Sequence, residues 1–182
     1  MTMLRRLLLL AAALALAACT TTTTVSAPGV TLDTGAKWAL LPITNHTDTP
    51  QAGLAAEAIT ENLLRARGIS NLGHYPPNLS RDTLFEPAER SVVEEARKWA
   101  SGAGMRYGVT GMVEEWRYKV GIDGEPAVGV TLQVIDLENG QVVYSASGAK
   151  SGWSRESLAG VANKLLASLV NRIPVRAAVA GK

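Results

Sequence analysis

Cysteine is almost missing from this chain: Cys19 is the single one in 182 residues. No disulfide can therefore form within it. Only two histidines accompany that cysteine, which leaves too few nitrogen and sulfur ligands for a structural zinc centre. Neither a G-x-S-x-G elbow nor an H-E-x-x-H helix occurs, so the sequence marks of α/β-hydrolases and zinc proteases are lacking. Excess charge of one sign is lacking too. Eighteen Lys and Arg face sixteen Asp and Glu, and two of the basic residues, Arg5 and Arg6, lie in a leader expected to be removed. The mature chain is then close to neutral, which argues against nucleic-acid binding driven by bulk charge. A continuous apolar run of the roughly 20 residues that span a bilayer is also absent. The longest, from Leu7 to Ala18, stops well short.

What is present begins with that short run. Residues 1–18 have the layout of a secretory signal: Arg5 and Arg6, then an apolar stretch, then small residues. Leu16-Ala17-Ala18-Cys19 matches a bacterial lipobox, in which the cysteine is acylated and becomes the new N-terminus. Residue 20 is Thr and not Asp, which by resemblance to the sorting signal of Gram-negative lipoproteins implies delivery to the outer membrane. Residues 19–35, rich in Thr, Ser, Pro and Gly, read as a lipidated N-terminus and flexible linker. Fully extended, Thr20 to Gly35 reaches about 55 Å.

Residues 36–174 read as one α/β domain. Lys-Trp-Ala-Leu-Leu-Pro-Ile at 37–43 is a nearly continuous apolar strand. Thr49-Pro50 suits a helix start, and Leu54, Ala55, Ala58, Ile59 and Leu63 share one helical face up to Gly68. A short strand is expected within 69–75. A second helix follows from Pro87 to about Ser101, its apolar face made by Val92, Val93, Ala96, Trp99 and Ala100. Three strands come next, at 107–120, 127–136 and 141–150. The last two are joined through Asn139-Gly140, a hairpin signal because Gly adopts positive φ without steric cost. The strongest helical stripe of all runs from Leu158 through Val161, Ala162, Leu165, Leu166 and Leu169 to Ile173 and stops at Pro174. Residues 175–182 read as a tail. The order strand–helix–strand–helix–strand–strand–strand–helix predicts a mixed sheet with an antiparallel C-terminal meander and about three helices.

Chemistry-bearing residues are scattered. His46 sits near Asp48 in a loop, and His74 beside Tyr75; both read as ordinary polar positions. Glu114 and Glu115 are neighbours in a strand, so they are expected to point to opposite faces. Gly102, Gly104 and Gly108 precede a strand where a dinucleotide loop would follow one, and read as a helix stop. No cofactor, metal or enzymatic activity is expected. Trp153 has two readings. With Ser154 as a cap it could staple onto Leu158, or its indole could stand exposed at the level of lipid headgroups.

The lipobox and linker, the Trp-Ala-Leu-Leu-Pro-Ile strand and the Thr-Asp-Thr-Pro loop into a helix, with the meander, Ser151-Gly152-Trp153 and the last helix, resemble the PelC family. These are outer-membrane lipoproteins of Pel exopolysaccharide export, similar in fold to CsgG and to the amino-terminal domain of TolB. The resemblance implies a homo-oligomeric ring, dodecameric in that family, on the periplasmic face of the outer membrane. It implies an acidic funnel that guides a cationic polysaccharide to the export barrel PelB, with Asp48, Asp123 and Glu125 as candidates. It also implies that Trp153 faces the membrane beside the anchor at Cys19. Curli-type pores insert long hairpins, whereas the turns here are short, so the protein is expected to sit on the membrane without crossing it. The rival reading is a monomeric activator of a peptidoglycan synthase, like LpoB. Such an activator needs a long tether, which a reach of about 55 Å does not favour.

Overall fold

The computed structural model describes residues 20–76, 86–121 and 124–176. Its sheet is built from β1 (Thr20–Ser26), β3 (Trp38–Asn45), β4 (Leu72–His74), β5 (Tyr107–Tyr118), β6 (Pro126–Asp136) and β7 (Val142–Ser151). They lie in the order β1-β7-β6-β5-β3-β4. β3 runs parallel to both β4 and β5, and the pairs β5–β6, β6–β7 and β1–β7 are antiparallel. The expected mixed sheet with its antiparallel meander is therefore present. A second, two-stranded parallel sheet joins β2 (Leu32–Asp33) to β8 (Val175–Arg176). The helices are α1 (Ala52–Ala66), α2 (Glu86–Gly102) and α3 (Leu158–Val170).

β3 explains why its sequence is apolar without alternation. Trp38, Leu40 and Ile43 pack into the larger core with α1 and α3, whereas Ala39 and Leu41 face Ala96 and Ala100 of α2. A strand covered on both sides must be apolar on both sides. α3 buries the stripe read from its sequence, Val161, Ala162, Leu165, Leu166 and Leu169, over Val128, Val130, Leu132 and Val134 of β6.

α1 departs from the sequence reading. Its buried side is Ala52, Gly53, Ala56, Glu57, Thr60 and Leu64, and Leu54 is exposed. The cause is close approach: a Cβ on Gly53 would lie 2.2 Å from the carbonyl oxygen of Ile43. Small residues, not the largest apolar ones, thus face β3. Glu57 is buried there with both oxygens used. One accepts from the Ile43 amide at 2.9 Å and the other meets His74 Nε2 at 2.9 Å. His74 Nδ1 lies 3.2 Å from Glu61, so the short edge strand β4 is clasped to α1. Thr49 does not cap this helix; its hydroxyl donates to the Trp116 carbonyl instead, and the residue before the helix is Gln51 in the left-handed region.

The expected linker and tail differ from the structure most. Thr20–Ser26 is an edge strand registered against residues 144–150 of β7. Thr is β-branched and suits a strand, and its hydroxyls find partners far away in sequence. Lys150 Nζ donates to Thr20 at 2.8 Å, and Arg172 donates to Thr22 at 2.7 Å. Composition alone hides such partners. The tail likewise contributes β8 before the described residues end at 176.

Candidate functional site: the anchor end of the sheet

The β1–β7 register decides which end of the domain carries the N-terminus. Thr20 stands opposite Lys150 and Ser26 opposite Tyr144. Cys19 itself lies outside the described residues, but its neighbour Thr20 is fixed at the end of β7, three positions before Trp153.

The same end gathers two further segments. The turn leaving β5 is tied to the exit of β7: Lys119 Nζ donates to Ser151 Oγ at 2.7 Å, and the Gly152 amide donates to the Pro126 carbonyl at 2.8 Å. Tyr118 reaches across to the start of α3, where its hydroxyl accepts from the Leu158 amide at 3.0 Å. Trp153 is 57% exposed, Tyr118 51% exposed, and Val120 has no cover at all. Trp153, Tyr118 and Val120 thus gather at the end where the chain enters, while exposed Val25 and Val142 lie towards the other end of the β1–β7 pair.

The Trp153 loop is held by its backbone, not by its indole. Its amide donates to Glu156 Oε2 at 3.1 Å, and the Glu156 amide donates back to the Trp153 carbonyl at 2.9 Å. A hydrogen bond from Lys164, aided by the Trp153 amide, holds the Glu156 carboxyl below the usual carboxylate range. Gly152 is required by packing: a Cβ there would come within 2.5 Å of Val161 Cγ2 and 2.6 Å of Glu156 Oε2. The cap of α3 is Ser157, whose side chain accepts from the Gly160 amide at 3.0 Å. Ser154 is not the cap, and Trp153 does not occupy the position of a staple next to it. The staple geometry is therefore not met, and the indole stands exposed.

The candidate funnel acids fall into two places and one gap. Asp48 lines an open cavity of about 440 Å³ with His46, Glu114, Glu115, Trp116 and Arg117. Glu125 stands in the β5–β6 turn, 4.0 Å from Lys119. Asp123 lies outside the described residues. The structure adds Glu114 and Glu115 to Asp48, against the expectation that they oppose each other across the strand. The β5–β6 register shifts between Val113 and Glu115. This bulge lets two residues of one strand face a single residue of the other. The site opposite is Gly129, whose ideal Cβ would lie 3.3 Å from Glu115 Cβ and 3.8 Å from Glu114 Cβ. Glu114 accepts from Thr131 at 3.0 Å and Glu115 from Arg117 at 3.1 Å. Gly129 in the interior of a strand was the available sequence signal for the bulge.

Among the described residues, no group of His, Cys, Asp and Glu is arranged to hold a metal ion, and no helix is long and apolar enough to cross a membrane.

No protein-family model and no curated protein matches the chain. Solved structures do. Lipoprotein GNA1162 from Neisseria meningitidis matches with a TM-score of 0.55 and 19% identity, over 76% of this chain and 97% of that one. At that identity the likeness is one of fold alone, a mixed-sheet α/β domain. A PelC dodecamer from Paraburkholderia phytofirmans is 40% identical, with a TM-score of 0.71, over 87% of this chain and 99% of that one. A substituted form of the same dodecamer gives 41% identity and a TM-score of 0.73 over 87% and 100%. The chain belongs to the PelC family.

Proposed function

We propose that this protein is a lipid-anchored ring component of a polysaccharide exporter, seated on the periplasmic face of the outer membrane by the end that carries Cys19 and Trp153. The observation that carries the reading is the β1–β7 register. Acylated Cys19 would enter the membrane one residue from Thr20, beside the exposed Trp153, Tyr118 and Val120. Trp and Tyr favour that interfacial level because one part of each side chain is apolar and another polar. Family membership favours a ring over a monomeric synthase activator, since the relatives at 40% and 41% identity are dodecamers.

The polymer would pass along acidic surface. Asp48, Glu114 and Glu115 offer three carboxylates around one open cavity, a setting for the ammonium groups of a cationic amino sugar. Each place carries a cation, Lys119 at 4.0 Å from Glu125 and Arg117 at 3.1 Å from Glu115, so Asp48 with its two neighbours is favoured by its larger number of carboxylates around one cavity. The outlet would be the export barrel PelB. Nothing in this role requires bond chemistry.

The combined variant Asp48→Asn, Glu114→Gln, Glu115→Gln is expected to weaken binding of a cationic amino-sugar polymer roughly fivefold or more at low salt, with the difference shrinking as salt screens the charges. Affinity electrophoresis of the mature protein through gels cast with the polymer reads this directly. Retention equal to wild type at low salt would remove these carboxylates from the polymer path.

A further inference from the structure

The anchor end carries cations as well as exposed apolar groups. Lys119, Lys150, Arg155 and Lys164 belong to it by sequence position and contact. Two are matched within the fold: Lys119 lies 4.0 Å from Glu125, and Lys164 pairs with Glu156. The other two form no ion pair among the described residues. Lys150 Nζ bonds to the Thr20 hydroxyl at 2.8 Å, one residue from the acylation site, and Arg155 is exposed two residues beyond Trp153. Asp123 is the one further acid that sequence places in the adjoining turn, outside the described residues.

We propose that this end is a binding surface for anionic phospholipid, in which Lys150 and Arg155 hold headgroup phosphates beside acylated Cys19 while Trp153, Tyr118 and Val120 enter the interface. The inference rests on the membrane-facing reading above and specifies the lipid. Three observations select the occupant. The chain outside the described residues ends at a residue expected to be acylated, so a leaflet must lie within one residue of Thr20. The apolar groups are of the interfacial kind. The charge left without an ion-pair partner at that level is positive, although Lys150 also acts on the nearby Glu156 carboxylate, and it is complementary to phosphatidylglycerol or cardiolipin. Because β1 is a paired strand and not a slack tether, Lys150, opposite Thr20, is held close to the anchor. A basic residue near an anionic leaflet favours contact by about fivefold, and a ring repeats that modest preference in every copy.

The test uses the mature lipidated protein in vesicles of three parts phosphatidylcholine to one part phosphatidylglycerol. Bromine is carried on the acyl chains of the phosphatidylglycerol in one set. In the other, an equal amount of phosphatidylcholine carries it. The Trp153 signal is isolated by difference from Trp153→Phe. Brominated phosphatidylglycerol is expected to quench Trp153 about twofold more than brominated phosphatidylcholine at equal mole fraction, and near 1 M salt should erase the excess. Lys150→Gln with Arg155→Gln should bring the ratio to one, while Lys150→Arg with Arg155→Lys should retain it. Equal quenching in the wild type would overturn the lipid preference and leave the membrane-facing reading standing. Trp153-specific quenching by neither lipid would overturn both. If the glutamine variant fails to fold, the wild-type comparison decides.

Discussion

Cys19→Ser is expected to move this protein from the membrane to the soluble periplasmic fraction. The expectation follows from how little else could hold it. Among the described residues no helix can span a bilayer, and the exposed apolar groups of the anchor end are Trp153, Tyr118 and Val120. Lipidation adds about 0.8 kcal/mol per buried CH₂, and a single chain binds only reversibly, whereas several chains make a stable anchor. Removing the thiol removes all of them together. The remaining contacts of one domain are of the weak, interfacial kind. Fractionation and incorporation of labelled palmitate check both halves: wild type labelled and membrane-bound, the variant unlabelled and soluble. An unlabelled wild type together with a variant that stays on the membrane would refute the lipobox reading.

The second large effect separates two tryptophans. Trp38 is fully buried, its indole N–H donates to the Asp33 carbonyl at 3.0 Å, and its ring lies 4.8 Å from that of Tyr107. Trp38→Ala is expected to cost ~3–5 kcal/mol, as buried aromatic truncations do. Trp153→Ala removes a side chain that is 57% exposed, and the change in stability should stay within about 0.5 kcal/mol. Its effect belongs in vesicle flotation and orientation. Denaturant melts of the two variants side by side give the comparison. A Trp153 cost close to that of Trp38 would make it a packing residue and remove the membrane-facing reading.

Much of this fold was legible because its signals are local. The stripe of α3 and the valines of β6 are periodic, and Asn139-Gly140 marks its turn, with Gly140 at φ 74°. The departures share one cause, that the deciding partner lies far away in sequence. Thr20–Ser26 reads as a linker from composition, yet Lys150 and Arg172 bond its hydroxyls across |i−j| separations of 130 and 150. A truncation at Val30, harmless to a linker, would remove a paired edge strand. α1 buries its small residues because Ile43 crowds Gly53, which no moment along the helix reveals. At the site, the resemblance already set Trp153 beside the anchor; strand register adds that Thr20 pairs with Lys150, three positions before Trp153. Glu114 and Glu115 were assigned to opposite faces by the two-residue period, which a single bulge at Glu114, opposite Gly129, breaks.

Ring formation is the claim on which the exporter reading depends most. Native mass spectrometry of the mature lipidated protein, released from the membrane in mild detergent, tests it directly. The expected result is a closed assembly of twelve copies, as in the PelC dodecamer from Paraburkholderia phytofirmans, each carrying the mass of its acyl chains. A strictly monomeric species at high protein concentration would contradict it and put the synthase-activator reading ahead.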